Sequence, residues 1–294
     1  MRLVCALLLM VGLLPALAAP AAADDSIVEV YSPSMNTTVV NHVIRAAGGP
    51  APTLYLLTGA GGGEDGISWW RDTDVRKFFA DKHVNVVMPE GGAFSMYTDW
   101  VSDDPIAGRN KWQTYLTEEL PRAIDSRLGT TGVNAIAGVS MAAGPVLDLT
   151  IQAPHRYRAV AAYSGCPRTS DPAAVAMVSA LVLRGGGNPL NMWGPPGGPL
   201  WAAHDPYVNA HRLAGKAIYL SAASGVPGAI DRNGLPGPIV ESIANACTAG
   251  FAARLAQVGV PAVHVVRQQG SHTWGLFETD LHESWPLLAR AIGA

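Results

Sequence analysis

A serine ends an apolar run in the stretch AIAGVSMAAGP, which spans residues 135–145. Gly138 lies two positions before Ser140 and Ala142 lies two positions after it, so the local pattern is G-x-S-x-A. In G-x-S-x-G motifs the serine sits on a sharp turn from strand to helix, where its hydroxyl is exposed and can act as a nucleophile. Because alanine replaces the second glycine, an ordinary loop serine is the alternative interpretation of Ser140.

A serine hydroxyl becomes a good nucleophile only when a base takes its proton. Three of the eight histidines follow the seventh β-rich run of the chain: His264, His272 and His282. His272 lies in the glycine-flanked loop QGSHTWG, just past the last predicted strand, where a parallel sheet would deliver a base to the edge that carries Ser140. His264 falls inside that strand and His282 at the start of the last predicted helix, so His272 is the candidate base.

An acid is needed to hold the imidazole in the correct tautomer and to stabilise its charged form. Only two carboxylates, Asp231 and Glu241, lie between residue 222 and His272. Asp231 is in the turn-like stretch GAIDRNGLPG, and Glu241 is near the start of a predicted helix. Spacing does not choose between them, and Asp205, in AHDPY, is better interpreted as a structural cap.

Two backbone N–H groups are candidates for stabilising the oxyanion of a reacting ester: that of Met141, just after the serine, and that of Ala60. Ala60 lies in the glycine-rich loop LLTGAGGGEDG, residues 56–66, which has neither G-K-[ST] nor G-x-G-x-x-G, so nucleotide binding is not expected. Since there is also no H-E-x-x-H pattern and no cysteine cluster, we expect no metal and no cofactor.

Eight β-rich runs alternate with helical patterns along the chain. The first two mix apolar and polar positions, as half-exposed antiparallel strands do, and the later six are almost continuously apolar, as strands covered on both faces are. The predicted strands are 26–32, 37–45, 53–59, 84–90, 133–140, 159–165, 216–222 and 262–268. The predicted helices are 74–82, 111–128, 141–152, 172–183, 238–257 and 281–292, with Pro121 kinking or dividing the second.

This alternation predicts one α/β domain over residues 24–294, with a mostly parallel central sheet and helices on both faces. Two leading antiparallel strands followed by such a sheet are the layout of the α/β-hydrolase fold. The segment 184–201 is rich in glycine and proline but carries two tryptophans, which favours an ordered excursion over a disordered spacer. A formal net charge of -3 without a long basic run argues against nucleic acid as a partner.

Residues 1–23 have the pattern of a secretory signal peptide. Arg2 precedes an apolar stretch over residues 3–14, and small residues precede Asp24. The apolar stretch is short for a membrane span. Removing this segment leaves Cys166 and Cys247, which in an exported protein are candidates for a disulfide, the alternative being two buried free thiols.

Several further stretches resemble one family. VVMPEGGAFSMYTDW, KWQTYLTEELP, GVSMAAGPVLDLTI, AAYSG, NMWGP, DPYVN and SHTW occur in this order and are similar to stretches of the secreted mycolyltransferases known as the antigen 85 family. The similarity runs from about residue 53 to residue 285. The resemblance implies an α/β-hydrolase fold and acyl transfer from a mycolyl glycolipid donor onto trehalose or another cell-wall sugar.

The resemblance also implies roles for individual residues. The family's nucleophile falls on Ser140, and its base, from an H-S-W motif, falls on His272 of HTW. The family's acid follows a proline by five positions at a helix start, which PGPIVE matches and which makes Glu241 the acid. The two oxyanion amides fall on Ala60 and Met141.

Three other positions bear on substrate binding. The resemblance implies that Trp274 packs beside the base. The family carries an Asp and an Arg that hold the sugar where this chain has Thr58 and Gly61, so a charged sugar clamp is absent from these positions. A bridge between Cys166 and Cys247 would tie the helix of the acid to the sheet and keep Glu241 within reach of His272.

The sequence therefore predicts an exported serine acyltransferase that moves a mycolyl group between sugar or cell-envelope acceptors through an acyl-enzyme on Ser140. Peripheral association with the cell envelope is part of this prediction. An exported carboxylesterase that uses water as the acceptor is one alternative. A non-enzymatic protein that binds the envelope or a host matrix on the same scaffold is another.

Overall fold

The computed structural model describes residues 24–294, in which eight strands form one sheet in the order β1-β2-β4-β3-β5-β6-β7-β8. The predicted signal peptide lies outside the described residues. The strands are β1 Asp24–Ser32, β2 Thr37–Arg45, β3 Thr53–Leu57, β4 Asn85–Pro89, β5 Asn134–Val139, β6 Ala159–Tyr163, β7 Ala217–Ala223 and β8 Val263–Arg267. Each of the eight predicted strands is thus confirmed, with small differences at the ends.

The direction of the strands also follows the prediction. β1 and β2 form an antiparallel pair, and β2 runs antiparallel to β4, whereas β4, β3, β5, β6, β7 and β8 are parallel to one another. β3, β4, β5 and β6 are buried at every position, because helices cover both faces of the sheet there.

β8 differs from the expectation that all six later strands are covered on both faces. It is one of the two edge strands of the sheet, and its Val263 and Val266 are 42% and 45% exposed. A continuous apolar run is found in edge strands as well as central ones, so the sequence pattern alone did not reveal the exposure of this strand.

The helices of the described residues are α1 Trp69–Asp72, α2 Val75–Phe79, α3 Trp112–Thr114, α4 Leu120–Leu128, α5 Ala143–Gln152, α6 Pro172–Arg184, α7 Pro189–Trp193, α8 Pro199–Ala203, α9 Pro238–Gln257 and α10 Trp274–Ile292. A π-helical turn, Tyr115–Glu119, joins α3 to α4, and Pro121 lies in the first turn of α4. The predicted helix 111–128 is therefore confirmed as one helical run, whose pattern changes just before Pro121. None of these helices combines the length and the apolar character that crossing a bilayer requires.

The last helix begins seven residues earlier than predicted, and His282 lies inside it rather than at its start. Gly275 obscures this start in the sequence, because glycine disfavours helix interiors. The structure needs a glycine there, since a Cβ would lie 2.3 Å from the carbonyl oxygen of Ile230. The loop before α9 therefore packs directly on the backbone of α10.

The segment 184–201 is an ordered excursion, as predicted. It holds α7 and the start of α8, and its two tryptophans, Trp193 and Trp201, are buried. Their rings meet edge to face with centroids 5.3 Å apart. Aromatic pairs of this geometry stabilise a packed core beyond the area that they bury.

Candidate active site

Ser140 lies at the turn between β5 and α5. The strand ends at Val139, Ser140 has a φ of 56°, and a 3₁₀ turn over Ser140–Ala142 leads into α5. Left-handed backbone at a non-glycine residue is strained, and such strain occurs mostly at functional sites. The turn lifts the serine side chain above the carboxyl end of the sheet.

Small neighbours make this turn sterically feasible. A Cβ on Gly138 would lie 2.8 Å from the carbonyl oxygen of Ala142, and one on Gly165 would lie 2.5 Å from that of Ser140. Glycine is therefore required before the serine and after β6. Ala142, which replaces the second glycine of the usual motif, is fully buried and is accommodated within the turn.

His272 lies in the loop between β8 and α10 and contacts Ser140 directly. Its Nε2 is 2.9 Å from Oγ of Ser140, and its Nδ1 is 2.8 Å from Oε2 of Glu241. Its φ of 64° places a second residue of the site in left-handed backbone. The structure thus brings together the three side chains that were predicted to form the site.

Glu241 lies in the first turn of α9 and is fully buried. Its Oε1, the oxygen that does not face His272, accepts hydrogen bonds from the Ser164 hydroxyl at 2.9 Å and from the Ala223 N–H at 2.6 Å. A buried carboxylate is stable only when hydrogen bonds or charges compensate its lost hydration. The ends of β6 and β7 supply these donors and so hold the carboxylate against the imidazole.

Asp231, the other carboxylate that spacing left open, has a different place. Its Oδ1 accepts from the Ser271 N–H at 2.8 Å and the Thr273 hydroxyl at 2.9 Å, and its Oδ2 accepts from the Gly228 N–H at 2.8 Å. Burial raises its pKa, but these hydrogen bonds outweigh burial and hold the pKa of Asp231 below its ordinary value. Asp231 therefore fixes the residues on both sides of His272.

The remaining candidates lie away from this centre. His264 is on the edge strand β8, where partial burial lowers its pKa. His282 stacks on Phe78, with ring centroids 3.9 Å apart, and contacts Asp74. Asp205 accepts hydrogen bonds from backbone N–H groups of two segments, 169–170 and 207–208, which is a structural role as predicted.

The two predicted oxyanion donors, Ala60 and Met141, line one cavity together with Ser140 and His272. Hydrogen bonds from the loop after β4 hold the loop of Ala60. The Phe94 N–H donates to the carbonyl oxygen of Ala60 at 2.8 Å. The Tyr97 hydroxyl donates to the carbonyl oxygen of Thr58 at 3.1 Å. Phe94 and Tyr97 both have positive φ, so this bracing loop is itself strained.

Three residues that the resemblance placed near the substrate lie outside the cavity lining. Trp274 is buried against Trp69, with ring centroids 5.2 Å apart, and the ring that packs against His272 is that of Phe277, at 5.1 Å. Thr58 is buried beneath the loop. Gly61 faces a carboxylate of its own loop, since a Cβ there would lie 2.1 Å from Oδ2 of Asp65.

The cavity beside Ser140 has a volume of about 360 Å³ and lies between α6 and α9. Its walls are mostly apolar: Met96, Met177, Val178, Ala180, Leu181, Val240, Ile243 and Ala244. These positions could not be predicted from the sequence, because α6 carries no motif and the motif at the start of α9 indicates only Glu241. Ser164 and Phe277 were also missed, although Ser164 lies near the end of the predicted strand 159–165, and β6 neighbours the strand that leads to Ser140.

A disulfide joins Cys166, in the cavity wall, to Cys247 of α9, with 4.8 Å between the Cα atoms. The predicted pairing is therefore present. The next residue of α9, Thr248, donates its hydroxyl to the carbonyl oxygen of Gly165 at 3.0 Å. Together with Glu241, these contacts attach one face of α9 to the carboxyl end of β6.

Comparison with known proteins places the chain in a family. Residues 31–288 match the Esterase family model, described as "Putative esterase". The chain is also 31% identical over 277 residues to the diacylglycerol acyltransferase/mycolyltransferase Ag85A of Mycobacterium tuberculosis, covering 90% of this chain and 81% of that protein. The chain belongs to the Esterase family. The resemblance to the antigen 85 mycolyltransferases is thereby confirmed.

Other members and solved structures agree with this placement. The Ag85B protein of Mycolicibacterium smegmatis, which bears the same enzyme name, is 31% identical over 278 residues, covering 90% of this chain and 84% of that protein. The crystal structure of MPT51 from Mycobacterium tuberculosis superposes with a TM-score of 0.81 at 27% identity and covers 92% of this chain and 100% of that one. A ferulic acid esterase, at 18% identity and a TM-score of 0.62, shares the fold. The predicted α/β-hydrolase fold of this Esterase-family chain is confirmed.

Proposed function

We propose that this Esterase-family protein is a serine acyltransferase that moves a long-chain acyl group, such as a mycolyl group, from a glycolipid donor to a sugar or cell-envelope acceptor. One observation carries the proposal: the unbroken contact from Ser140 through His272 to Glu241, beside an apolar cavity. Relatives named as acyltransferases support the reaction class.

The proposed reaction has two steps. His272 takes the proton of Ser140 as the serine oxygen attacks the ester carbonyl of the donor, and Glu241 stabilises the imidazolium that forms. The N–H groups of Ala60 and Met141 stabilise the oxyanion, for which removal of one donor typically costs roughly 2.7–4 kcal/mol of transition-state stabilisation. His272 then gives its proton to the departing alcohol.

In the second step an acceptor hydroxyl gives its proton to His272 and attacks the acyl-enzyme. The acyl group leaves Ser140, which recovers its proton from the imidazolium. The apolar walls of the cavity favour a long acyl chain, because each buried methylene contributes about 0.8 kcal/mol. No cofactor or metal takes part in this proposed sequence.

Replacement of the base tests the catalytic centre. We expect His272→Gln to abolish labelling of Ser140 by a fluorophosphonate probe and to abolish acyl transfer, as Ser140→Ala does, with folding retained. His264→Gln is the matched control, because that histidine lies on the edge strand away from the cavity. Labelling of His272→Gln at the rate of the control would overturn the assignment of His272 as the base, and a wild type that takes no label would favour a non-enzymatic binding protein.

A carboxylesterase that uses water is the second candidate. The absence of a charged clamp at Thr58 and Gly61 favours it, because nothing at these positions binds a sugar strongly. Mass spectrometry of the products from trehalose monomycolate distinguishes the two. A trehalose dimycolate product supports transfer, whereas free mycolic acid with or without added sugar supports hydrolysis.

Export from the cell is part of the same proposal and rests on the pattern of residues 1–23. The disulfide between Cys166 and Cys247 agrees with an oxidising compartment. Mass spectrometry of the N-terminus of the protein, in the medium and envelope and in the cytoplasm of its host, tests this. A mature chain that begins near Asp24 outside the cytoplasm supports export, and a chain that retains residue 1 and stays in the cytoplasm contradicts it.

A further inference from the structure

The polar side chains of the cavity are engaged with one another, with one exception. Ser140 contacts His272, and Ser164 donates to Glu241. Arg184, which lines the same cavity at the end of α6, is exposed and makes no hydrogen bond or ion pair through its side chain within residues 24–294. Its guanidinium is thus a free cation at the mouth of the cavity.

The surroundings of Arg184 fix where this cation lies. Its guanidinium carbon is 5.9 Å from the centre of the Phe94 ring, and the Phe94 N–H donates to the carbonyl oxygen of Ala60 at 2.8 Å. Arg184 therefore lies on the side of the cavity where the oxyanion loop is. An ester whose acyl chain enters the apolar cavity would leave its alcohol portion at this mouth.

Two features hold Phe94 beneath Arg184. Phe94 has a φ of 55°, which is strained for a residue with a large side chain. A Cβ on the next residue, Gly185, would lie 2.4 Å from Cβ of Phe94, so only glycine lets the ring pack under the end of α6. The ring restrains the guanidinium at 5.9 Å, because cations are attracted to aromatic faces within about 6 Å.

A cation at a helix C-terminus is favourable in itself, because it interacts with the helix dipole. That effect accounts for an arginine in the last turn of α6. It does not account for the place of Arg184 in the cavity lining or for the aromatic ring that lies beside its guanidinium. These two features point to a ligand.

We propose that Arg184 binds an anionic group, a carboxylate or a phosphate, on the alcohol portion of the substrate whose acyl chain lies in the cavity. This inference rests on the proposed function of the same site and narrows its substrate class to anionic acyl esters. The planar guanidinium suits both groups, since it donates two parallel hydrogen bonds to adjacent oxygens.

Two chromogenic esters with one acyl chain test the inference. 4-Nitrophenyl octanoate has a neutral leaving group, and 3-octanoyloxy-4-nitrobenzoate has a carboxylate on its leaving group. The measured quantity is the ratio of kcat/KM for the anionic ester to that for the neutral ester. We expect Arg184→Gln to lower this ratio at least five-fold and Arg184→Lys to lower it less.

Arg212→Gln is the matched control, because Arg212 is exposed, unpaired among the described residues and outside the cavity lining. It makes the same change of net charge and should keep the wild-type ratio. Added salt should lower the ratio for the wild type and not for Arg184→Gln, since screening weakens an exposed charge pair. An equal ratio in wild type, Arg184→Gln and Arg212→Gln overturns the inference.

Binding measurements separate this inference from the proposed function. If the wild type cleaves neither ester and takes no fluorophosphonate label, the proposed function fails. Titration calorimetry with octyl phosphate and with octyl glucoside then decides on Arg184. At least five-fold weaker binding of octyl phosphate to Arg184→Gln than to Arg212→Gln supports the inference, and equal binding overturns it.

Discussion

The hydroxyl of Ser164 lies 2.9 Å from Oε1 of Glu241, the carboxylate oxygen that His272 does not contact. Ser164 follows β6 directly and has a φ of 48°, so a strained backbone aims this hydroxyl at the buried acid. The two oxygens of Glu241 therefore have separate partners: one stabilises the imidazole and the other anchors the carboxylate.

Ser164→Ala removes one of the two donors to that oxygen and leaves the Ala223 N–H. A hydrogen bond to a charged group contributes about 1.5–3 kcal/mol, so we expect the free energy of unfolding to fall by roughly that amount. For 4-nitrophenyl octanoate, kcat should fall about ten-fold with little change in KM. Glu241 stabilises the imidazolium, which forms in the transition state and not when the substrate binds.

Ser242→Ala is the control for this prediction, because it removes a hydroxyl from α9, the helix that carries Glu241. That hydroxyl donates to the carbonyl oxygens of Ser224 and Pro238 and contacts no catalytic side chain. Its kcat should match the wild type. Equal losses of kcat in Ser164→Ala and Ser242→Ala would contradict the prediction. They would show that a loss of stability, and not the loss of the hydrogen bond to Glu241, lowers kcat.

Gly138→Ala tests the turn that carries Ser140. The new Cβ would lie 2.8 Å from both the Ala142 carbonyl oxygen and Cγ1 of Val146, so the turn must shift. Overpacking of this kind costs about 1–3 kcal/mol, and we expect slower fluorophosphonate labelling because Ser140 moves relative to His272. Stopped-flow labelling and thermal unfolding measure the two effects.

Gly250→Ala is the matched substitution in open space, since no atom lies within 4 Å of a Cβ placed there in α9. Alanine is favoured over glycine in helix interiors by about 0.5–1 kcal/mol, so this variant should be more stable than the wild type. A Gly138→Ala protein that labels as fast as Gly250→Ala would contradict the steric account of the turn.

Much of the fold and the position of the base could be predicted from local pattern. Apolar runs located all eight strands, and glycine-flanked loops at strand ends located Ser140 and His272. The exposure of β8 and the start of α10 could not be predicted, because both depend on packing partners distant along the chain. Spacing left Asp231 and Glu241 equivalent. The family resemblance favoured Glu241 as the acid, and in the fold Glu241 contacts the imidazole whereas Asp231 braces its loop.

The cavity and the position of Arg184 in its lining could not be predicted from the sequence for a related reason. α6 joins the site from a segment without a motif, and Arg184 gains meaning only when Phe94, 90 positions earlier, packs beneath it. Trp274 shows that a resemblance also leaves the packing around the base open. The family resemblance placed it beside the base, whereas Phe277, one turn further along α10, packs against the imidazole.

Removal of the disulfide tests how α9 positions Glu241. The bridge joins residues 81 positions apart. In the chain-entropy model, a loop of this length stabilises the fold by roughly 4–5 kcal/mol. We expect Cys166→Ser/Cys247→Ser to unfold at a clearly lower temperature and to have a lower kcat, because the helix of the acid is held less firmly.

Reductant provides the control for this variant. Dithiothreitol should lower the thermal midpoint of the wild type toward that of the double variant and should leave the double variant unchanged. If alkylation of the unreduced, denatured wild-type protein labels both thiols, the bridge does not form in solution and the prediction fails.

We expect the contribution of Asp231 to stability to depend on pH, because the folded-state pKa of this carboxyl lies below the ordinary value. A carboxylate with a lowered pKa stabilises the fold above its unfolded pKa, about 3.9, and this contribution is lost as the pH falls through the folded-state pKa. The thermal midpoint of the wild type should therefore exceed that of Asp231→Asn at pH 6–7. The difference should shrink below about pH 4, where the wild-type carboxyl also becomes protonated.

The same substitution should reduce catalysis at pH 7, because Asp231 holds the residues on both sides of His272 in a strained loop. With two hydrogen bonds weakened, we expect kcat to fall roughly ten-fold while KM changes little. Asp103→Asn is the control, since that exposed carboxylate pairs with Arg109 away from the cavity. A kcat equal to that of the control, or a difference in thermal midpoint that stays constant down to pH 3, would show that Asp231 does not brace the base.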